Sequence, residues 1–561
     1  MLGRMSRSAP ADLLLVNGAV YTVDAARRWA SAVAVSDGAI VAVGTGSDVR
    51  PLANRETEVV DLGGRLLLPG FQDAHAHPPS SGLDMLRCNL SEAYSLPEYE
   101  RIVAAYAAEH PEAEWIAGSG WSMDVFPGGN PPKEVLDRVV RDRPVSLWSR
   151  DGHSTWVNSR ALERAGVNAD TPDPADGWIV RTPDGEPSGA LHEGACDLVE
   201  KHVPEPTPED WLDGLRQAQA TLHALGITAW QDAIVGGNYP TLEPYVTFAR
   251  SGELTARVVG ALWWDRHRGL EQIEDLVARR ERGRAGRFRA TSVKIMQDGV
   301  IENHTAGVLE PYLDADGRPT DNRGKSFVDP EELKAAVTRL DAEGFQVHVH
   351  AIGERAVREG LDAFEAAREA NGPNDHRHHI AHIQVIHPDD VPRFRALDVT
   401  ANAQPLWAVH EGQMDHLTIP FLGPERSAWQ YPFGSLVRSG ARVAMGSDWS
   451  VSSPNPMWEM HVAVNRTSPP GYEYGEGDGP AEPFLPEERL DLPTAIAGFT
   501  INAAYVNHLD AETGSIEVGK RADLAVLDRN PFDHPTDRIA EARVVRTLVD
   551  GERMFDAGEL D

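Results

Sequence analysis

His75 and His77 stand one residue apart at the end of the run Gly63-Gly64-Arg65-Leu66-Leu67-Leu68-Pro69-Gly70-Phe71-Gln72-Asp73-Ala74-His75-Ala76-His77. In an extended strand side chains alternate faces, so two imidazoles at this spacing project from one side and can grip a single metal ion. The apolar Leu66-Leu67-Leu68 reads as a buried strand, which Pro69-Gly70 interrupts just before the polar residues begin. Two ordinary loop histidines would have the same spacing, and the rest of the chain decides between the readings.

Four further segments supply partners. Lys294 lies inside the otherwise apolar Ser292-Val293-Lys294-Ile295-Met296, where an unpaired ammonium is costly to bury. His350 comes from Gln346-Val347-His348-Val349-His350-Ala351-Ile352-Gly353, His382 from His379-Ile380-Ala381-His382-Ile383-Gln384, and Asp448 from Val443-Ala444-Met445-Gly446-Ser447-Asp448-Trp449. Four imidazoles, a lysine and an aspartate thus fall near the ends of separate strand-like segments, a set that two divalent metals could share. The plain alternatives are a lysine that snorkels to water and an aspartate that starts a turn.

Such a set needs a scaffold that brings strand ends together. Strand-like stretches run through 66–77, 227–233, 257–264, 291–298, 345–351, 379–386, 399–405 and 442–449, most of them separated by helix-like stretches such as 331–344 and 353–370. The expected fold is α/β, a (β/α)8 TIM barrel, whose functional groups collect at the C-terminal ends of the strands. The chain of 561 residues leaves room for additions. Residues 13–43 and 522–552 carry short alternating segments with Asn-Gly and Asp-Gly turns. Neither end has enough strands for a sheet of its own, so the two are expected to combine into a small β-sandwich. The gap from 78 to 225 is far longer than an ordinary connection and implies an inserted capping subdomain, about 80–210. The expected division is 1–68 and 506–561 for the sandwich and 69–505 for the barrel. Residues 468–486, rich in Pro, Gly and Glu, read as an exposed loop.

Acidic residues outnumber basic ones 86 to 53, for a formal charge of −33. A polyanion would be repelled over most of that surface, which argues against nucleic acid or an anionic membrane as partner. Only Cys88 and Cys196 occur, so no disulfide framework is implied. The first ten residues lack an apolar core of signal-peptide length, and no run of about 18 apolar residues occurs anywhere. The expectation is a cytoplasmic protein; its oligomeric state stays open, a homodimer included.

His-x-His on the first strand, Lys on the fourth, His on the fifth and sixth and Asp on the eighth resemble the amidohydrolase superfamily of metal-dependent hydrolases. Within it, Leu-Pro-Gly-Phe-Gln-Asp-Ala-His-Ala-His, Asp151-Gly152-His153-Ser154-Thr155-Trp156-Val157-Asn158-Ser159 and His350-Ala351-Ile352-Gly353 resemble amidohydrolase family 3, the YtcJ-like branch that includes N-substituted formamide deformylase. The resemblance runs from about residue 12 to 555 and supports the split sandwich, with Gly514-Ser515-Ile516-Glu517-Val518-Gly519-Lys520-Arg521-Ala522-Asp523 as its return segment. It implies one metal held by His75, His77 and Asp448, a second held by His350 and His382, and Lys294 carboxylated by carbon dioxide to bridge them. Zinc is the expected metal, with manganese, iron, cobalt or nickel also compatible.

The chemistry implied is hydrolysis of a linear C–N amide-type bond, in an N-substituted formamide or other carboxamide, by a metal-bound hydroxide with Asp448 as proton carrier. His153 resembles a family position near the pocket that could polarise the carbonyl. His348 reads as a core or supporting residue rather than a ligand, and His379, three residues before His382 on a strand, is expected to face the other way. Asp298 reads equally as orienting a ligand or starting a turn. Trp121, Trp148, Trp407 and Trp449 suggest an apolar pocket for a small-molecule substrate with a hydrophobic N-substituent. The rival within the fold is a one-metal deaminase of a ring amine; a rival of another class is a non-catalytic binding scaffold.

Overall fold

The computed structural model describes residues 10–237, 239–472 and 482–560. At its centre run eight strands: β1 (Phe71–Ala76), β2 (Ile227–Val235), β3 (Arg257–Trp263), β4 (Phe288–Met296), β5 (Gln346–Ala351), β6 (His379–His382), β7 (Thr400–Ala403) and β8 (Val443–Met445). They are hydrogen-bonded in chain order, all in parallel. β5 is buried throughout although it alternates Val347 and Val349 with His348 and His350, and β4 buries Lys294 between Val293 and Ile295, so one face of each strand carries polar groups into the barrel interior. The register sets Met296 opposite His350 and Ala351 opposite His382, which brings successive strand ends to one rim. Between β8 and β1 the seam is closed just beyond the strands. Asp448 N–H donates to His75 O and His77 N–H donates to Trp449 O, both at 2.8 Å.

The helices that return the chain show why these segments are helical. Pro330–Ala342 begins at Asp329, whose carboxylate accepts from the N–H groups of Glu331 and Glu332, with Pro330 fixing the first turn. It buries Leu333, Ala336, Val337 and Leu340, the three-and-four spacing of one helix face. Gly344 at φ +78° then reverses the chain into β5. Glu354–Asn371 repeats the pattern with Val357, Leu361 and Phe364 buried.

One expectation is corrected here. Leu66-Leu67-Leu68 does not belong to the first barrel strand: Leu66–Pro69 pairs with Leu524–Leu527 and Ala19–Tyr21 in a separate six-stranded sheet, and the barrel strand begins at Phe71. Alternation explains the unbroken apolar run. Leu67 packs with Leu13, Leu15, Val33 and Val526 between this sheet and a four-stranded sheet from residues 13–61, while Leu66 and Leu68 face the barrel core. Both ends of the chain therefore contribute to one two-sheet layer.

A fourth sheet has the strand order Gly177–Arg181, Pro187–Glu193, Ser154–Val157, Val145–Ser149, Ile116–Trp121 and Cys88–Asn89, with a core of its own around Val103, Phe126 and Trp156. Trp121 is fully buried in that core and donates to Leu147 O. It therefore lines no pocket, a second correction. Cys88 and Cys196 are buried and unpaired. Residues 473–481 of the Pro- and Gly-rich stretch lie outside the described residues, as do residues 1–9. Among the described residues no helix is long and apolar enough to cross a membrane.

Candidate metal centre

The six residues singled out for metal binding meet at the C-terminal rim of the barrel. His75 and His77 leave the end of β1, and the seam bonds hold Asp448 beside them. Asp448 Oδ1 lies 2.9 Å from His77 Nε2 and 3.3 Å from His75 Nε2. Atoms about 2.0–2.1 Å from a tetrahedral ion stand about 3.3 Å apart, so these three side chains have the spacing of ligands to one ion. Lys294 Nζ, from β4, is 3.4 Å from His75 Nε2. His382 Nδ1 is 3.7 Å from Asp448 Oδ2, and the His350 and His382 rings lie 4.4 Å apart. Trp407 stacks on His382 at 5.3 Å with ring planes 5° apart.

All but His77 are buried. His350 Nε2, His382 Nδ1 and Asp448 Oδ1 are buried atoms with no hydrogen-bond partner. Buried polar atoms are normally satisfied, so three unsatisfied ones at one rim of the barrel fit divalent cations as their missing partners. Imidazole and carboxylate donors suit zinc and the neighbouring transition metals.

Burial dominates the electrostatics. It lowers His75 to about 3, with Lys294 adding to the fall against Asp448, and it holds His350 and His382 well below the usual histidine range. All three are neutral, as ligands must be. Burial also lowers Lys294 to about 7, against the pull of Asp448 and Asp232. Burial pushes Asp448 up, but the neighbouring imidazoles outweigh it and hold the carboxyl well below its ordinary value.

His382 at φ +76° and Asp448 at φ +53° occupy backbone conformations uncommon outside glycine and often found at functional sites. The first explains a third correction. Strict strand alternation would send His379 away from His382, yet His379 is fully buried inside the barrel with its ring 4.0 Å from that of His348. The left-handed turn at His382 breaks the alternation. His348 Nε2 lies 2.9 Å from His75 Nδ1, under the cluster rather than in it.

His153 stands beside the centre, its ring 5.7 Å from that of His350. Its Nδ1 is 3.1 Å from Glu193 Oε1, and Thr305 Oγ1 donates to the same oxygen at 2.8 Å. Burial lowers His153, but the Glu193 carboxylate more than offsets this and carries it to about 9. Asp298 accepts from the N–H groups of Ile352, Gly353 and Gly307 at 2.8–3.0 Å and has Oδ1 3.6 Å from His350 Nε2. It ties the end of β4 to the end of β5 and also faces the site.

Sequence reasoning gave no role to Glu193, Asp73 or Asp232. Asp73 accepts from Ser447 Oγ at 2.5 Å and from His75 N–H at 2.9 Å, and its place two residues before His75 marks it as a same-face neighbour. Asp232, at the end of β2, is buried with Oδ2 unpartnered; burial raises it to about 6. Its position at a strand end was the available signal. Glu193 lies far from the barrel strands in sequence, and no local pattern marks it.

The model of the amidohydrolase family matches residues 58–555. The chain is 31% identical to the Arabidopsis thaliana protein LONG AFTER FAR-RED 3, over 97% of this chain and 92% of that one. It is 29% identical to N-substituted formamide deformylase of Arthrobacter pascens, over 97% of this chain and 98% of the relative. Among solved structures, an uncharacterized metal-dependent hydrolase from Pyrococcus furiosus aligns with a TM-score of 0.68 and 25% identity, over 92% of this chain and 99% of that one.

Proposed function

This chain belongs to the amidohydrolase family, and from that premise we propose that it hydrolyses a linear C–N bond other than a peptide bond, in an N-substituted formamide or related carboxamide. The observation that carries the reading is the convergence of His75, His77, Lys294, His350, His382 and Asp448 on one rim, with three buried donor atoms left unsatisfied. The likeness to a formamide deformylase over nearly both full lengths supports the substrate class.

In this reading His75, His77 and Asp448 would hold one ion, and His350 and His382 would hold a second. When bound, a divalent metal polarises a carbonyl and lowers the pKa of water, to about 7 for zinc. Lys294, brought to about 7 by burial, offers a neutral amine to carbon dioxide. Carboxylation there would form an N–C bond with loss of one proton, and the resulting carbamate would supply anionic oxygen ligands to the metals. Asp448 stays ionised and takes a proton from the attacking water. His153, held as imidazolium by Glu193, uses Nε2 to donate to the substrate carbonyl oxygen. As the C–N bond breaks, Asp448 returns its proton to the departing amine, leaving a carboxylic acid and an amine.

Incubation of the metal-loaded protein with a panel of N-alkyl and N-aryl formamides and acetamides tests this, with amine release as the readout. Turnover of formamides supports the reading, and inactivity across the panel alongside turnover of ring amines would replace it. The ring-amine reading has one observation in its favour: among the described residues, His75, His77 and Asp448 are the one group of three or more His, Cys, Asp or Glu side chains whose donor atoms all lie within 4.8 Å of one another, which is the ligand count of a single ion.

A further inference from the structure

Beneath the cluster, a chain of buried side chains leads from His75 to backbone groups whose hydrogen-bonding sense is fixed. Donors and acceptors can be assigned from its two ends inward. At one end Gln346 Nε2 lies 2.9 Å from Arg377 O and 2.7 Å from Val506 O. Carbonyl oxygens only accept, so this nitrogen donates both bonds. Gln346 Oε1 is left to accept from Gln231 Nε2 at 3.0 Å, and Gln231 Nε2 also reaches Asn507 Oδ1 at 3.3 Å. Gln231 Oε1 therefore accepts, and facing it are His348 Nδ1 at 2.8 Å and His379 Nε2 at 3.0 Å. Both of these nitrogens must carry hydrogen.

The other end gives the same answer. His382 N–H donates to Gln404 Oε1 at 2.8 Å, so Gln404 Nε2 donates to Asn402 Oδ1 at 3.1 Å. Asn402 Nδ2 then donates to Ala74 O at 2.9 Å and to His379 Nδ1 at 3.2 Å. With Nδ1 accepting, His379 has its hydrogen on Nε2, as the first path requires.

His348 is fully buried, and its hydrogen-bond partners are an amide and an imidazole. An imidazolium there would lack a counter-ion, so the ring is neutral. Donating at Nδ1, it can only accept at Nε2, which stands 2.9 Å from His75 Nδ1. His75 must carry its hydrogen on Nδ1. Its lone pair then lies on Nε2, the nitrogen that faces Asp448 and Lys294.

We propose that Gln231, acting through His348, is a positioning residue that locks His75 in the Nδ1–H tautomer and so presents Nε2 to the metal. The assignment of His75 as a ligand comes from the function proposed above; the tautomer itself exists without metal. Supporting groups of this kind change metal affinity about 10–100-fold when removed.

The test uses metal-free full-length protein labelled with 15N-histidine, with long-range proton–nitrogen spectra identifying the protonated nitrogen and His75→Asn assigning the signal. A hydrogen on His75 Nδ1 is expected, and one on Nε2 overturns the proposal. Neither result depends on metal binding, so the outcome is separable from failure of the functional reading, which would appear as wild-type protein that takes up no metal. In chelator competition, His348→Leu should weaken zinc binding about 10–100-fold. His348→Gln, which can turn a carbonyl oxygen toward His75, should recover most of the loss. Equal affinity in wild type and His348→Leu contradicts the proposal, and if the leucine variant does not fold the wild-type spectrum decides.

Discussion

The backbone N–H of Asp448 donates to the carbonyl oxygen of His75 at 2.8 Å, so the bond that closes the barrel also brings the acidic member of the cluster against the first histidine. The seam and the site share the same residues. Residues at this seam should therefore affect both stability and metal binding.

Ser447 tests that coupling. Its hydroxyl and its N–H both donate to the buried Asp73, which in turn accepts from His75 N–H. Ser447→Ala leaves a buried carboxyl short of one donor, a loss of about 1–3 kcal/mol. Urea unfolding of the metal-free protein should read that change, with weaker metal uptake in parallel. Unchanged stability and uptake would detach Asp73 from the seam.

Asp448→Asn should lower turnover at least about 100-fold, in line with the 10²–10⁴-fold range for a general acid–base group. The amide is nearly isosteric, so the unfolding temperature of the metal-free protein should hold. Near-normal amine release from the variant would remove Asp448 from the proton path.

Lys294→Ala should reduce both bound metal and activity, with partial recovery on adding a short carboxylic acid that can stand in for the carbamate. Full activity without the acid argues that Lys294 bridges nothing.

His153 and Glu193 make a pH prediction. With Glu193 replaced by glutamine, burial is opposed only by the more weakly acting Asp151 and Asp448 carboxylates, and the titration of His153 in metal-free protein should fall from about 9. A histidine raised on folding adds stability that is full below about 6.5 and fades as pH climbs through its folded value. The stability advantage of wild type over Glu193→Gln should therefore shrink between pH 6.5 and beyond 9. A His153 titration that ignores the substitution would show that Glu193 does not govern it.

Much of this arrangement was legible in the sequence, because its elements are local. His75-Ala76-His77, the lysine buried in an apolar strand, and histidine or aspartate at the ends of three further strands each carry their signal within a few residues. What escaped was non-local or irregular. Leu66-Leu67-Leu68 looks like a barrel strand because a sheet packed on both faces has the same apolar run. His379 was misoriented because nothing in the local sequence announces the positive φ of His382. Glu193 meets His153 across a strand pairing of the inserted sheet, in which Ser154 lies opposite His192, and no spacing rule reaches that far.

Metal content per chain tests the central claim most directly, measured by elemental analysis of protein purified without chelator and with bicarbonate present. The account predicts about two equivalents of a divalent transition metal, falling together with activity in Lys294→Ala. A wild-type protein that holds one equivalent and keeps full amidase activity would contradict the paired site, and one that holds none after reconstitution would contradict metal-dependent hydrolysis altogether.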